Sequence, residues 1–97
     1  MEYRDPAKET YDALRKLIRE MEKNLEDGEV IAVSGCGPNS SEFFLQRMQR
    51  VGPLISIIGD ADDERFEELV YAPDQVSIRL FTAKREGARK SIGFETE

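Results

Sequence analysis

The sequence predicts an α/β domain in which one mixed four-stranded sheet carries helices on both faces. Residues 30–33 and 54–58 are short and almost wholly apolar, which is typical of strands buried on both sides in a parallel sheet. The segment between them has helical spacing, so the three elements form a β-α-β unit with a right-handed crossover. Two alternating segments near the end, residues 75–83 and 89–95, predict an antiparallel hairpin. We expect a single domain over residues 1–97.

The first element is an amphipathic helix over residues 6–27. Asp5 provides an N-cap and Pro6 occupies the first helical position, where proline is favoured. Gly28 is expected to end the helix. Docking of a partner helix against the apolar stripe is the alternative to burial in this chain's own core. The apolar stripe recurs every three or four residues: Tyr11, Leu14, Leu17, Ile18, Met21 and Leu25.

The first strand leads into a turn that carries the cysteine of this chain. Gly35 and Gly37 flank Cys36, and small residues allow another chain to approach closely. Asn39 and Glu42 have the spacing of a capping box, which predicts a second helix over residues 40–50. A thiol just ahead of a helix N-terminus is stabilised as a thiolate, which makes Cys36 the candidate catalytic residue. The alternative is a small residue that only fills space in the turn.

The acidic run at residues 60–64 predicts the beginning of a third helix, over residues 62–70, with Phe66, Leu69 and Val70 turned inward. Carboxylates at that position complement the helix dipole. The spacing does not match a calcium-binding loop, so no metal site is predicted.

One basic cluster stands out in this acidic chain, at the predicted hairpin: Lys84, Arg85, Arg89 and Lys90. Such a cluster is usually a solvated hairpin end that discourages pairing between sheet edges. The alternative is a site for a phosphate group or an acidic partner. Arg85 and Lys90 are therefore candidate partner-binding residues.

Composition restricts the chemistry. The chain has one cysteine and no histidine, which excludes an internal disulfide, a cysteine-rich zinc site and histidine-based catalysis. A net charge of −6 argues against broad binding to nucleic acid. No apolar run approaches the roughly 20 residues that span a bilayer. We therefore expect a cytoplasmic protein without a cofactor, a nucleic-acid partner or a membrane segment.

The order of elements, with Cys36-Gly37-Pro38-Asn39 after the first central strand, resembles the thioredoxin superfamily. Ile57-Ile58-Gly59-Asp60 resembles the strand that follows the active-site helix in that family. Ser77-Ile78-Arg79-Leu80-Phe81 and the charged glycine turn after it resemble the terminal hairpin. The resemblance covers residues 11–95 and extends to the degenerate N-terminal thioredoxin-like domain of the alkyl hydroperoxide reductase flavoprotein subunit.

The resemblance implies that Gly35, Gly37, Pro38 and Asn39 line a substrate site around Cys36. It also implies that Val76 stands where the family has a proline beside the substrate. Several features depart from the family pattern: Asn39 replaces the second cysteine, Pro73 lies three residues before Val76, and the closing helix is absent.

Three functions are compatible with these residues. The first is a monothiol redox protein in which Cys36 forms mixed disulfides with a protein thiol or a glutathione-like thiol. The second is a non-catalytic interaction module of the same fold that has lost the redox pair. The third is an acidic regulator that covers a basic partner surface by charge. A single exposed cysteine also allows a disulfide-linked homodimer.

Overall fold

The computed structural model describes residues 5–36, 42–61, 64–87 and 91–96. These ranges contain one helix, which precedes six strands. The elements are α1 (Pro6–Lys23), β1 (Glu29–Gly35), β2 (Glu42–Val51), β3 (Leu54–Asp60), β4 (Phe66–Tyr71), β5 (Ile78–Lys84) and β6 (Gly93–Thr96).

The strands form one mostly antiparallel sheet in the order β4-β3-β2-β1-β5. Every neighbouring pair along this path is antiparallel. β6 lies off the path and pairs with the second half of β2 in the parallel direction. The two elements with the most apolar sequences, β1 and β3, are therefore separated by β2.

α1 confirms the predicted amphipathic helix, although it ends before Gly28. The Asp5 side chain accepts a hydrogen bond from the Lys8 backbone N–H at 3.1 Å and thereby caps the helix N-terminus. The helix ends at Asn24, and Gly28, with φ of +81°, leads into β1 instead. Ile18 is completely buried, whereas Leu17, also predicted for the stripe, is 52% exposed.

The sheet curls toward the face that carries α1. A Cβ atom on Gly35 in β1 would lie 3.5 Å from both Leu69 Cδ1 and the Tyr71 hydroxyl of β4. β4 and β1 are separated by two strands in the sheet, so these residues meet only across a concave surface. The Tyr71 hydroxyl also donates a hydrogen bond to the Ser77 carbonyl, just before β5, at 3.1 Å. The concave face and α1 together enclose the core.

The core consists of side chains from α1 and from the concave face of the sheet. The Tyr11 hydroxyl donates to the Met48 carbonyl at 3.4 Å, so the buried polar group of the helix is paired. The buried members are Tyr11, Ile18, Ile31, Val33, Phe43, Leu45, Met48, Ile55, Ile57 and Ile92.

The predicted thioredoxin-like arrangement is wrong, since the described sheet is mostly antiparallel and its described helix packs on the concave face alone. The two apolar strands predicted to be parallel neighbours are β1 and β3, and each pairs with β2 instead. Their apolar sequences reflect burial by α1 and by the curl of the sheet, and do not require a parallel sheet.

The predicted second helix, residues 40–50, is wrong because residues 42–51 form β2. A β-bulge explains the misleading pattern: the β2–β3 register shifts between Leu45 and Arg47. The shift changes the buried set from simple alternation to Phe43, Leu45 and Met48, which mimics helical spacing. Gly52-Pro53, expected to end a helix, is a two-residue hairpin loop, because Val51 pairs with Leu54 and Gly52 has φ of +55°.

The predicted third helix, residues 62–70, is also wrong, since β4 occupies residues 66–71. Phe66 and Val70, expected to face inward, are 78% and 53% exposed, whereas Leu69 packs against the core. Alternation along an edge strand produced this pattern. The predicted hairpin contains two strands, β5 and β6, that do not pair with each other: β5 pairs with β1 and β6 with β2.

Candidate functional site

A cleft opens where β1 and β2 separate. β1 pairs with β5 over its full length, from Glu29 to Gly35, but with β2 only from Ala32 to Ser34. Beyond Phe44, the same edge of β2 bonds β6 instead, while β3 takes the opposite edge. The first part of β1 and the beginning of β6 therefore lie on either side of a gap in the sheet.

The cleft has a volume of about 770 Å³. Its walls combine apolar side chains from several elements with a comparable share of charged and polar side chains. Phe66, 78% exposed, lies at the rim. The apolar lining residues are Leu25, Val30, Ile31, Phe44, Leu45, Ile58 and Ile92.

Arg85 and Asp60 form the polar centre of the cleft. The two terminal nitrogens of Arg85 donate to the two carboxylate oxygens of Asp60, at 3.0 and 2.8 Å. The Gln46 side-chain amide donates to the same carboxylate at 2.7 Å. The guanidinium also lies 4.2 Å from the centre of the Phe44 ring, within cation–π distance. The pair is only 29% and 19% exposed.

Electrostatics hold this pair in its charged state. The hydrogen bonds from Arg85 are the main cause that holds the pKa of Asp60 below its ordinary value near 3.8. Burial acts in the opposite direction, and the positive charge of Arg85 and the bond from Gln46 also lower the pKa. Asp60 therefore stays a carboxylate throughout the physiological range.

The strand register explains how the cleft gathers these groups. Phe66 lies opposite Asp60, Asp60 opposite Phe44, and Phe44 opposite Ala32. Ala32 in turn lies opposite Phe81 of β5. Because directly paired residues share a face, this row crosses the convex face of the sheet, which α1 leaves uncovered.

A glycine makes the bulge beside this row possible. A Cβ atom on Gly59 would overlap the Phe44 carbonyl oxygen and lie 2.5 Å from Cδ2 of Phe43. The backbones of β2 and β3 approach so closely here that only glycine fits. The bulge that places Gln46 beside Asp60 thus depends on Gly59.

The structure places Gly35 and Cys36 away from this cleft. Cys36 is an exposed free thiol directly after β1, and its backbone N–H donates to the Ser77 carbonyl at 3.3 Å. Burial, followed by the charge of a Cys36 thiolate, raises the pKa of the nearby Tyr71. The next described element is a strand, so no helix begins at Glu42 to stabilise the thiolate.

The other predicted residues are distributed over different parts of the fold. Gly35 is buried at the end of β1, and Val76 lines a shallow groove of about 460 Å³ beside α1. Arg85 follows the opposite end of the β1–β5 pair, roughly 20 Å from Gly35 at about 3.3 Å per residue. Gly37, Pro38, Asn39 and Lys90 lie outside the described residues.

Sequence reasoning included Arg85 but missed its partners. From sequence, Asp60 is assigned to a strand end and to the acidic run before a helix, and Phe44 and Gln46 are assigned to a helix. The available signal is the acid that ends the apolar run at Asp60, which Arg85 neutralises. No local pattern indicates that these two residues meet.

The described residues contain no group of three or more Cys, Asp or Glu side chains arranged to hold a metal ion. Within the same ranges, no helix has both the length and the apolar character that crossing a membrane requires.

Comparison with known proteins adds no relative, because no family model, curated protein or solved structure matches this chain.

Proposed function

We propose that the protein is a binding domain, and that the cleft between β1 and β6 receives a ligand with an apolar body. The observation that carries this proposal is a cleft in which apolar wall residues surround one largely buried, hydrogen-bonded charge pair, Arg85 and Asp60. Ligand sites typically combine these features, with volumes of about 300 to 1,000 Å³.

The charge pair orients a ligand while the hydrogen bonds within the pair stay intact. Asp60 accepts one bond from Gln46 and two from Arg85, and a carboxylate offers about four acceptor positions. The Asp60 backbone N–H adds a further bond to this carboxylate, so the pair is satisfied internally and its fixed charges orient the polar end of a ligand beside the apolar part of the walls. This proposal keeps the interaction role predicted from sequence, for which the sheet edge, the Cys36 turn and the Lys84–Lys90 segment are the candidate surfaces, and assigns it to the cleft that Arg85 lines.

A titration of ¹⁵N-labelled protein with benzyl alcohol tests the proposal. We expect shifts of amide signals at Val30, Leu45 and Arg85, with a dissociation constant of about 1 mM, which corresponds to roughly 4 kcal/mol. Val30→Asp should weaken binding at least tenfold, because Val30 lines the cleft. Val70→Asp is the matched control, since Val70 is exposed on β4 and does not line the cleft. Shifts confined to the groove around Leu17 and Val76 would contradict the proposal.

A second candidate function is the monothiol role of Cys36, which the exposure of the thiol favours. In this role the Cys36 thiolate attacks a disulfide, the new mixed disulfide retains one sulfur of the target, and the other leaves as a thiolate. Trapping of mixed disulfides with oxidised glutathione tests it, with Cys36→Ser as the control. Absence of an adduct on the folded protein would exclude this role.

A further inference from the structure

We propose that the ligand of the cleft is an extended peptide segment that adds as a strand beside the first half of β1. This inference rests on the binding role proposed above. Glu29, Val30 and Ile31 have β5 on one side, but no described strand pairs with them on the other. The ladder to β2 begins only at Ala32.

The facing wall of the cleft is also a strand edge. β3 pairs with β2 from Phe44 to Val51, so β6 must bond the opposite edge of β2, the edge that β1 uses at Phe44. β6 thus begins at Gly93 with β2 on one side and the cleft on the other. Among the described residues, two strand edges face one gap and neither has a strand partner there.

The backbone geometry of these two edges favours an extended peptide over a compact ligand. In an antiparallel strand, the N–H and C=O groups of successive residues point alternately to the two neighbours. At least one residue among Glu29, Val30 and Ile31 therefore presents both groups to the cleft. Such groups require partners. An extended peptide supplies a donor and an acceptor at the matching spacing, which a compact ring does not.

The length and the charges of the cleft restrict the length and the sequence of the peptide. Residues 29–31 span about 10 Å, at about 3.3 Å per residue, which suits a short segment. The Glu29 backbone N–H already donates to the Glu26 carbonyl at 3.0 Å, so the peptide bonds the remaining groups of this edge. Three carboxylates, of Glu22, Asp60 and Glu86, line the cleft together with the guanidinium groups of Arg47 and Arg85, so its described lining carries one more negative than positive charge. Asp60 neutralises Arg85, and the whole chain carries a charge of −6. We therefore expect alternating apolar and cationic residues in the peptide.

The probe is the peptide acetyl-Lys-Val-Lys-Val-Lys-amide, compared with the same peptide methylated at both valine nitrogens. Amide hydrogen exchange of the full chain is measured by NMR with each peptide. We expect the unmethylated peptide to slow exchange at least tenfold at one or more of residues 29–31 and to shift the Gly93 signal. The methylated peptide should lose this protection, because methylation removes the two valine N–H donors, which lie on one edge of the extended peptide. A version with glutamate in place of lysine should bind at least tenfold more weakly.

The outcomes separate this inference from the binding role itself. Equal protection by the methylated peptide would overturn strand addition. The inference also fails if benzyl alcohol binds at Val30 and Leu45 while the peptide does not, although the binding role would then stand. Failure of both probes would overturn both proposals. The comparison of the two peptides uses the unmodified protein, so it does not depend on whether Val30→Asp folds.

Discussion

Arg85 holds Asp60 across two intervening strands. Asp60 ends β3 and Arg85 directly follows β5, and in the sheet β2 and β1 lie between these strands. Two hydrogen bonds, at 3.0 and 2.8 Å, join the side chains over the Phe44 ring. The backbone N–H of Arg85 also donates to the Gly28 carbonyl at 2.9 Å, which fixes the start of the arginine side chain. This contact links the two halves of the sheet where the cleft divides them.

Asp60→Asn should destabilise the protein by about 1 to 3 kcal/mol at pH 7, because hydrogen bonds to charged groups contribute roughly that much. The pKa of Asp60 is lower in the folded protein than its ordinary value near 3.8. The stabilisation is therefore complete above about pH 5 and is lost as the pH falls through the lower folded pKa. Urea unfolding at pH 7 and near pH 2 measures both effects.

The matched control is Asp74→Asn, which changes an exposed carboxylate in the turn after β4 and should shift the unfolding free energy by less than about 0.5 kcal/mol. The difference between wild type and Asp60→Asn should shrink near pH 2. A difference that persists unchanged at low pH would show that the charge pair does not stabilise the fold.

Gly59→Ala should destabilise the fold by about 1 to 3 kcal/mol or more, because its methyl group would overlap the Phe44 carbonyl. Gly93→Ala provides the control, since the nearest atom to its added methyl group is Arg47 Cγ at 3.7 Å. Thermal unfolding of the two variants compares them directly. Equal melting temperatures would mean that β2 and β3 do not approach closely at the bulge.

Ile18→Ala should cost about 2 to 5 kcal/mol, since it creates a cavity between α1 and the sheet. Leu17→Ala, one residue earlier on the same helix, removes a side chain that is 52% exposed and should cost less than about 1 kcal/mol. Chemical denaturation measures both losses. The reverse order would place the other face of α1 against the sheet.

Cys36 should react with iodoacetamide in the folded protein, because its side chain is exposed. The rate at pH 8 should lie within about tenfold of the rate in the urea-unfolded chain, where nothing shields the thiol. Cys36→Ser should change the unfolding free energy by less than about 0.5 kcal/mol. Reaction only after unfolding would show that the thiol is packed in the folded protein.

The local sequence predicts those elements that residue spacing and capping chemistry are enough to define. The stripe in α1, its Asp5 cap and the apolar segments of β1 and β3 follow from periodicity and capping chemistry. β2 could not be predicted, because the bulge between Leu45 and Arg47 gives its buried residues helical spacing. The prediction for β4 was wrong for a related reason. Phe66 and Val70 are apolar but exposed, so composition does not indicate which face of the strand is buried.

The site was less predictable than the elements, because it depends on which strands become neighbours. Arg85 was a candidate for its charge alone, while Asp60 lies 25 residues earlier in the chain. Their contact requires β3, β2, β1 and β5 in that order, together with a bulge that only Gly59 permits. Neither the strand order nor the bulge is indicated by a local sequence pattern.

The cleft exists because the part of β1 before Ala32, residues 29–31, is separated from β2. Backbone nuclear Overhauser effects test this, because backbone protons of residues paired on neighbouring strands lie close enough to be detected, with Cα atoms about 4.5 to 5.5 Å apart in an antiparallel pair. We expect contacts between Ala32 and Phe44 and between Arg47 and Gly93, and none between Val30 and Gln46. Strand contacts that continue from Ala32 to Val30 along β2 would close the cleft and contradict the account.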